Sequence, residues 1–319
     1  MLKLLIIFLA AVAACCGQVP NMRVSYTLFK KNNQFIGTTI TESVPGIFNS
    51  TQDTIFLIHG YAGNTVVRFN QLVRDAIFDF RNPDDYNVIV VDWTLEASFS
   101  YTQARNNVGN VARNLVNFIQ WLTSDPTTTT TTTTSITTTT TEQPTMTTTA
   151  QPATINVENF HFVGFDLGAH VAGIAGRILQ EDSQLVGRIT GLSPSGRQWG
   201  AGSERLRRDD ARYVEVIHTD TFGVLANGIE DPIGDINFYA NGGNNQPGCL
   251  THSCCHDRAF ELFAASMINP NLIGRGCTSN TQMNLNLCRS GELNLGGVEL
   301  SKTGLNIYRI NTSRRYPFY

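Results

Sequence analysis

The stretch Phe160-His161-Phe162-Val163-Gly164-Phe165-Asp166-Leu167-Gly168 decides the fold, together with the run Ala169-His170-Val171-Ala172-Gly173-Ile174-Ala175-Gly176-Arg177 that follows it. An apolar, strand-like segment enters a pentapeptide with glycine at both ends, and a small-residue helix leaves it. This is the sequence form of a nucleophile elbow, a sharp strand-to-helix turn written Gly-x-Ser-x-Gly that lifts a serine hydroxyl to the top of a sheet. Asp166 stands where that serine is expected. The turn is kept and its central side chain is exchanged.

Outward from the elbow, Ile55–His59, Val88–Asp92, Arg188–Leu192 and Tyr213–His218 are short, nearly continuous apolar runs. Such runs fit strands of a sheet that is covered on both faces. Over Gln103–Leu122, the residues Val108, Val111, Ala112, Leu115, Phe118, Ile119 and Leu122 recur at three- and four-residue spacing, which predicts a helix with one apolar stripe. Phe260–Met267 reads as another helix. Alternating strands and helices predict an α/β fold with a mostly parallel central sheet and helices on both faces. With the elbow, they predict the α/β-hydrolase fold.

The chain has 319 residues, a formal charge of -3 and 15% charged residues. A sparse, nearly balanced charge argues against nucleic acid as a partner. Lys3, the apolar run Leu4 to Ala14 and the small residues up to Gly17 have the shape of a secretory signal peptide over 1–17. That run is shorter than the roughly 20 residues a membrane-spanning helix needs. A secreted, extracellular product without a membrane span is expected, with residues 18–319 as a single domain. From about 126 to 153 the chain is almost all threonine, with Pro126, Pro144 and Pro152. Such a tract has nothing to bury and reads as a glycosylated spacer. It precedes the elbow strand, so it is expected at the N-terminal edge of the sheet, away from the site. Asn49-Ser50-Thr51 and Asn311-Thr312-Ser313 are glycosylation sequons. Of seven cysteines, Cys15 and Cys16 fall in the leader. Cys249, Cys254, Cys255, Cys277 and Cys288 remain, and their clustering in a secreted chain reads as disulfides. An odd number leaves one free or paired with another chain. Cys254-Cys255-His256 lacks the second ligand pair of a zinc site.

A serine hydrolase needs a nucleophile, a histidine to take its proton, an acid to orient the histidine, and two amides to hold the oxyanion. The histidine candidate is His256, in Ser253-Cys254-Cys255-His256-Asp257-Arg258-Ala259. The acid is expected after the next strand, where Ile189-Thr190-Gly191-Leu192-Ser193-Pro194-Ser195-Gly196 offers Ser193. Phe56-Leu57-Ile58-His59-Gly60-Tyr61 has the form of an oxyanion loop, which makes the amides of Tyr61 and Leu167 the donors.

These segments resemble the secreted animal lipase family, which includes pancreatic and lipoprotein lipases, A1-type phospholipases and the dipteran yolk proteins. Further stretches that carry the resemblance are Val90-Val91-Asp92-Trp93, Val216-Ile217-His218-Thr219-Asp220, Phe238-Tyr239-Ala240-Asn241-Gly242-Gly243 and Gln246-Pro247-Gly248-Cys249. Their order and spacing, from about Val24 to Tyr319, are more specific than any one of them. The resemblance implies an α/β-hydrolase domain without the β-sandwich that follows it in larger members. It implies disulfides Cys249–Cys254, closing a very short lid, and Cys277–Cys288. Cys255 is left over and becomes the candidate for an intermolecular disulfide.

Three positions depart from the family pattern. Its serine is Asp166, and the aspartate of its Gly-Leu-Asp-Pro motif is Ser193. Arg207 stands where a calcium-binding carboxylate would be in Arg205-Leu206-Arg207-Arg208-Asp209-Asp210-Ala211. Only His256 is retained, and no metal or cofactor is expected. Losing the serine alone costs a serine hydrolase about 10⁶-fold in turnover. The expectation is a lipase homologue without ester-hydrolase activity, serving in lipid or hydrophobic-ligand binding, storage or structure. The alternatives are an active carboxylic ester hydrolase, or a hydrolase that uses Asp166 as a covalent nucleophile. A reversed pair with Ser193 attacking fails because Ser193 lies across the histidine from the oxyanion amides. The aspartyl route needs another acid on His256, and Asp220 is the candidate. His59 and His218 are expected to hold loops, and His170 to sit on the elbow helix. His161 and His252 are expected at the surface or in loops, and Arg205, Arg207, Arg208 and Arg212 on a solvated face.

Overall fold

The computed structural model describes residues 23–80, 86–124 and 155–319. The leader at 1–17 and the threonine tract at about 126–153 lie outside the described residues. The residues that flank the tract, Ser124 and Ile155, belong to the end of a helix and the approach to the elbow strand.

Eleven strands form one sheet. In chain order they are β1 (Ser25–Phe29), β2 (Thr38–Ile40), β3 (Asp53–Ile58), β4 (Tyr86–Asp92), β5 (Phe160–Phe165), β6 (Arg188–Leu192), β7 (Val214–His218), β8 (Ile236–Ala240), β9 (Ile273–Cys277), β10 (Glu292–Asn294) and β11 (Asn306–Ile310). Across the sheet the order is β10-β9-β11-β8-β7-β6-β5-β3-β4-β1-β2. From β11 to β4 every pairing is parallel. β1 and β2 on one edge, and β9 and β10 on the other, join antiparallel. The helices are α1 (Arg68–Phe80), α2 (Thr94–Ala97), α3 (Tyr101–Ser124), α4 (Leu167–Glu181), α5 (His252–Ala265) and α6 (Asn280–Asn284). This is the α/β-hydrolase arrangement.

Both faces of the central strands are apolar because each side chain meets a helix layer. Along β3, Phe56 and Ile58 join the core made with α3 and α4. Ile55 and Leu57 join the core made with α1 and α5. Each such residue, fully buried, contributes about 1.5–3 kcal/mol, so a strand covered on both sides needs the unbroken run. The predicted helix over Gln103–Leu122 is α3, with Val108, Val111, Ala112, Leu115, Ile119 and Leu122 buried. α5 starts well before Phe260. Thr251 caps it by accepting from the Cys254 amide at 3.2 Å, so His256 lies on its second turn.

Two disulfides are present, Cys249–Cys254 and Cys277–Cys288. Cys255 is a free, buried thiol, and its sulphur accepts from the Gln246 amide at 3.4 Å. The expectation of an intermolecular bond through Cys255 is therefore corrected, since α5 turns this side chain inward. His161 is likewise not a surface residue. It is fully buried in β5, with Nε2 2.8 Å from Thr190 Oγ1. No described helix is long and apolar enough to cross a membrane.

Candidate active site

Four consecutive parallel strands bring the candidate residues to their carboxyl ends, where open α/β sheets hold their ligands. Asp166 follows β5, Ser193 follows β6, Asp220 follows β7, and His256 rides on α5 after β8. Asp166 has φ 54° and ψ -118°, outside the regions open to most L residues. The glycines around it make the turn possible. A β-carbon on Gly164 would lie 2.3 Å from the Gly168 carbonyl oxygen, and one on Gly168 would lie 2.1 Å from the Ile58 carbonyl oxygen. α4 thus leaves the elbow pressed against the end of β3.

The side chains form a triad in space with altered identities. His256 Nε2 lies 3.4 Å from Asp166 Oδ1. On the other side of the ring, His256 Nδ1 lies 2.9 Å from Ser193 Oγ. Asp166 Oδ2 accepts a hydrogen bond from the Tyr61 amide at 2.9 Å, and the Leu167 amide also donates to this carboxylate. Asp166 and His256 are each 7% exposed and Ser193 is fully buried. Burial opposes ionisation of Asp166. The His256 ring and the two amides outweigh it and hold the carboxyl below its ordinary value. The amides expected to receive an oxyanion donate to the protein's own carboxylate.

Asp220 does not orient His256. Its Oδ1 lies 2.6 Å from His252 Nδ1, and its Oδ2 accepts from the backbone and side-chain nitrogens of Asn227, both at 2.9 Å. His252, expected at the surface or in a loop, opens α5 and is half-exposed. It stands four residues before His256 and so about one turn away on the same face. The acid after β7 therefore serves the earlier histidine, a pairing that nothing in the sequence pattern signals. His59 holds its loop through Trp93, whose amide donates to His59 Nε2 at 3.2 Å. His218 lies 3.0 Å from the Ile229 carbonyl oxygen.

The arginines around Arg207 are each met by an acid. Arg205 pairs with Asp231, Arg207 with Glu204, Arg208 with Asp235 and Arg212 with Glu158. Asp210 is buried, holding Arg177 at 3.0 Å and accepting from the Arg207 amide at 2.7 Å. Its oxygens are committed to protein donors. No group of three or more His, Cys, Asp or Glu side chains arranged to hold a metal occurs among the described residues.

Two adjoining cavities flank the elbow. One of about 270 Å³ is lined by Tyr61, Tyr101, Phe165, Asp166, His256 and Asp257, among others. Its neighbour, of about 250 Å³, shares Tyr61, Phe165 and Asp257 and adds Phe69 and Phe260. The loops that follow the same strand ends carry exposed apolar side chains: Phe222, Val224, Leu225 and Leu250. The disulfide Cys249–Cys254 closes a short loop beside them.

The family model described as Lipase matches residues 12–313. Pancreatic lipase-related protein 2 of Cavia porcellus is 30% identical over 266 residues, covering 80% of this chain and 54% of that protein. Lipoprotein lipase of Neovison vison is 30% identical over 291 residues, covering 82% and 55%. Lipase member H-A of Xenopus laevis is 31% identical over 284 residues, covering 84% and 54%. The chain spans about half the length of the curated relatives it matches. With its elbow, its hydrolase sheet and a family match that runs almost from end to end, the chain belongs to the lipase family.

Proposed function

We propose that this chain is a secreted lipase homologue without ester-hydrolase turnover, which keeps the family's cleft to bind a hydrophobic ligand in a binding, storage or structural role. One observation carries the reading: the Tyr61 amide donates to Asp166 Oδ2 at 2.9 Å. In a working serine hydrolase that donor must be free for the oxyanion. Here a fixed negative charge occupies it before any substrate arrives. The attacking hydroxyl is gone as well, and a neutral serine sits on His256 Nδ1, where a carboxylate would stabilise the imidazolium. Secretion is supported by the leader-like N-terminus and the two disulfides. Glycosylation at Asn311, which is exposed, and at the half-buried Asn49 belongs to the same proposal.

The aspartyl-nucleophile reading is weaker on this geometry. Its water-activating histidine needs an orienting acid, and Asp220 is spent on His252 and Asn227. The test is turnover of short-acyl p-nitrophenyl esters and of phospholipid vesicles by the purified protein. Background rates are expected. Robust turnover that His256→Ala abolishes would overturn the proposal.

A further inference from the structure

The exchange at the elbow changes which ligands the cleft can accept. A neutral serine at the floor of an apolar pocket tolerates an acyl chain that ends in an ester or a fatty-acid carboxylate. Asp166 places a buried carboxylate there, and an anionic head group would meet it in a region of low dielectric, where like charges repel strongly.

A second carboxylate reinforces the first. Asp257 lines both cavities. Asp166 has the Tyr61 amide and the His256 ring, but Asp257 has no hydrogen-bond or ion-pair partner among the described residues. Burial pushes its carboxyl up from the ordinary value, and Glu261 and Asp166 add to this against His256 and Arg68. The charge is thus undercompensated where it stands. Of the two guanidinium groups at these cavities, Arg68 is paired with Glu261 and lies over the Phe260 ring. Arg197 is exposed and spends its charge on the face of Tyr101, 5.4 Å from the ring centroid.

The walls are aromatic. Tyr61 and Tyr101 meet edge to face with centroids 5.5 Å apart, and Phe165 packs 5.1 Å from Phe260. Ring faces next to an unpaired carboxylate are the surroundings that favour ammonium groups, because ring quadrupole and formal charge attract in the same direction. We propose that the cleft selects amphiphiles with a cationic ammonium head and rejects their carboxylate counterparts, with Asp257 as the residue that determines this specificity. The inference rests on the ligand-binding reading of the site and names the class of ligand.

Titration calorimetry of the full chain tests it with probes of equal tail length: octyltrimethylammonium, octanol and octanoate, each below its aggregation threshold. Octyltrimethylammonium is expected to bind about tenfold tighter than octanol through the charge of Asp257, and octanoate weakest. Asp257→Asn should remove the tenfold preference. Tetramethylammonium distinguishes the sources. Binding as tight as that of the octyl probe points to a free amine, and much weaker binding points to the head group of an amphiphile. Equal affinity for octanol, or tighter binding of octanoate, overturns the charge selection while leaving apolar ligand binding intact. If none of the probes binds, both readings fall. Preference for the ammonium probe that survives in Asp257→Asn overturns the role of that residue.

Discussion

Asp166 sits at φ 54° and Ser193 at φ 41°, conformations that cost a non-glycine residue about 1–3 kcal/mol each. The strained turn of a nucleophile elbow is therefore present with an aspartate at its centre. On the proposed reading, only side chains separate this site from a working triad, and two substitutions reverse the exchange on paper. Asp166→Ser with Ser193→Asp restores a hydroxyl facing His256 Nε2, a carboxylate facing Nδ1 and a vacant pair of amides. The double variant is expected to hydrolyse p-nitrophenyl butyrate measurably above the parent chain. Asp166→Ser alone should fall short of it by about 10⁴-fold, the cost of an acid that cannot support the imidazolium. A folded double variant that stays at background would place the loss in the cleft instead of the triad. These three positions were legible in the sequence because the elbow and its flanking strands fix them by order. The partner of Asp220 was not. Its choice of His252 over His256 depends on how the loop from Thr219 to Gly228 folds back, which one-dimensional spacing does not encode.

Among the elements, α4 and β3 meet more closely than ordinary helix-on-sheet packing allows, and Gly168 is the reason. A methyl group there would meet the carbonyl oxygens of Ile58 and His59 at 2.1 and 2.5 Å, and both are backbone atoms that no rotamer change can move. Gly168→Ala must therefore drive the helix away from the strand. Overpacking of this kind costs about 1–3 kcal/mol, and a drop of that size in the urea unfolding free energy is expected. An unchanged value would show that the close approach is dispensable. The central strands and α3 were readable because two-sided burial demands continuous apolar runs and one-sided burial a clean stripe. The edge strands were not: Thr38–Ile40 and Glu292–Asn294 are short, mixed in polarity and paired on the outside of the sheet, so they carry neither pattern. The start of α5 was hidden for a related reason. His252-Ser253-Cys254-Cys255-His256-Asp257 is polar, and its helical state rests on the Thr251 cap and on burial of Cys255 and His256.

For the molecule as a whole, His161, His170 and His218, three of the four fully buried histidines, tie folding to pH. His161 and His218 lie in runs that read as covered strands, but the groups that hold all three rings come from distant segments. His170 is the clearest. The Leu206 amide donates to its Nδ1 at 3.2 Å, so that nitrogen carries no proton, and Nε2 donates to the Ser195 carbonyl at 2.8 Å. Protonation of Nδ1 would set a donor against a donor. Burial pushes His170 down from 6.5 to about 4, outweighing the Ser195 carbonyl, which favours the charged form. Burial pushes His218 down to about 4 as well. Burial lowers His161 too, and the positive charges of Arg188 and Lys302 add to it. Between pH 6.5 and about 4 the unfolded chain binds protons at these rings that the folded chain does not. Stability should therefore be whole above pH 6.5 and fall as the pH drops toward 4. For His170 alone the difference amounts to about 3 kcal/mol at the acid end. Urea unfolding of the parent chain and of His170→Gln at pH 7, 5.5 and 4.5 separates this from general acid weakening. The variant starts from a lower stability at pH 7 but should lose less on acidification. Parallel losses in the two proteins would mean that His170 is protonated in the folded state and that the Leu206 contact does not exist in solution.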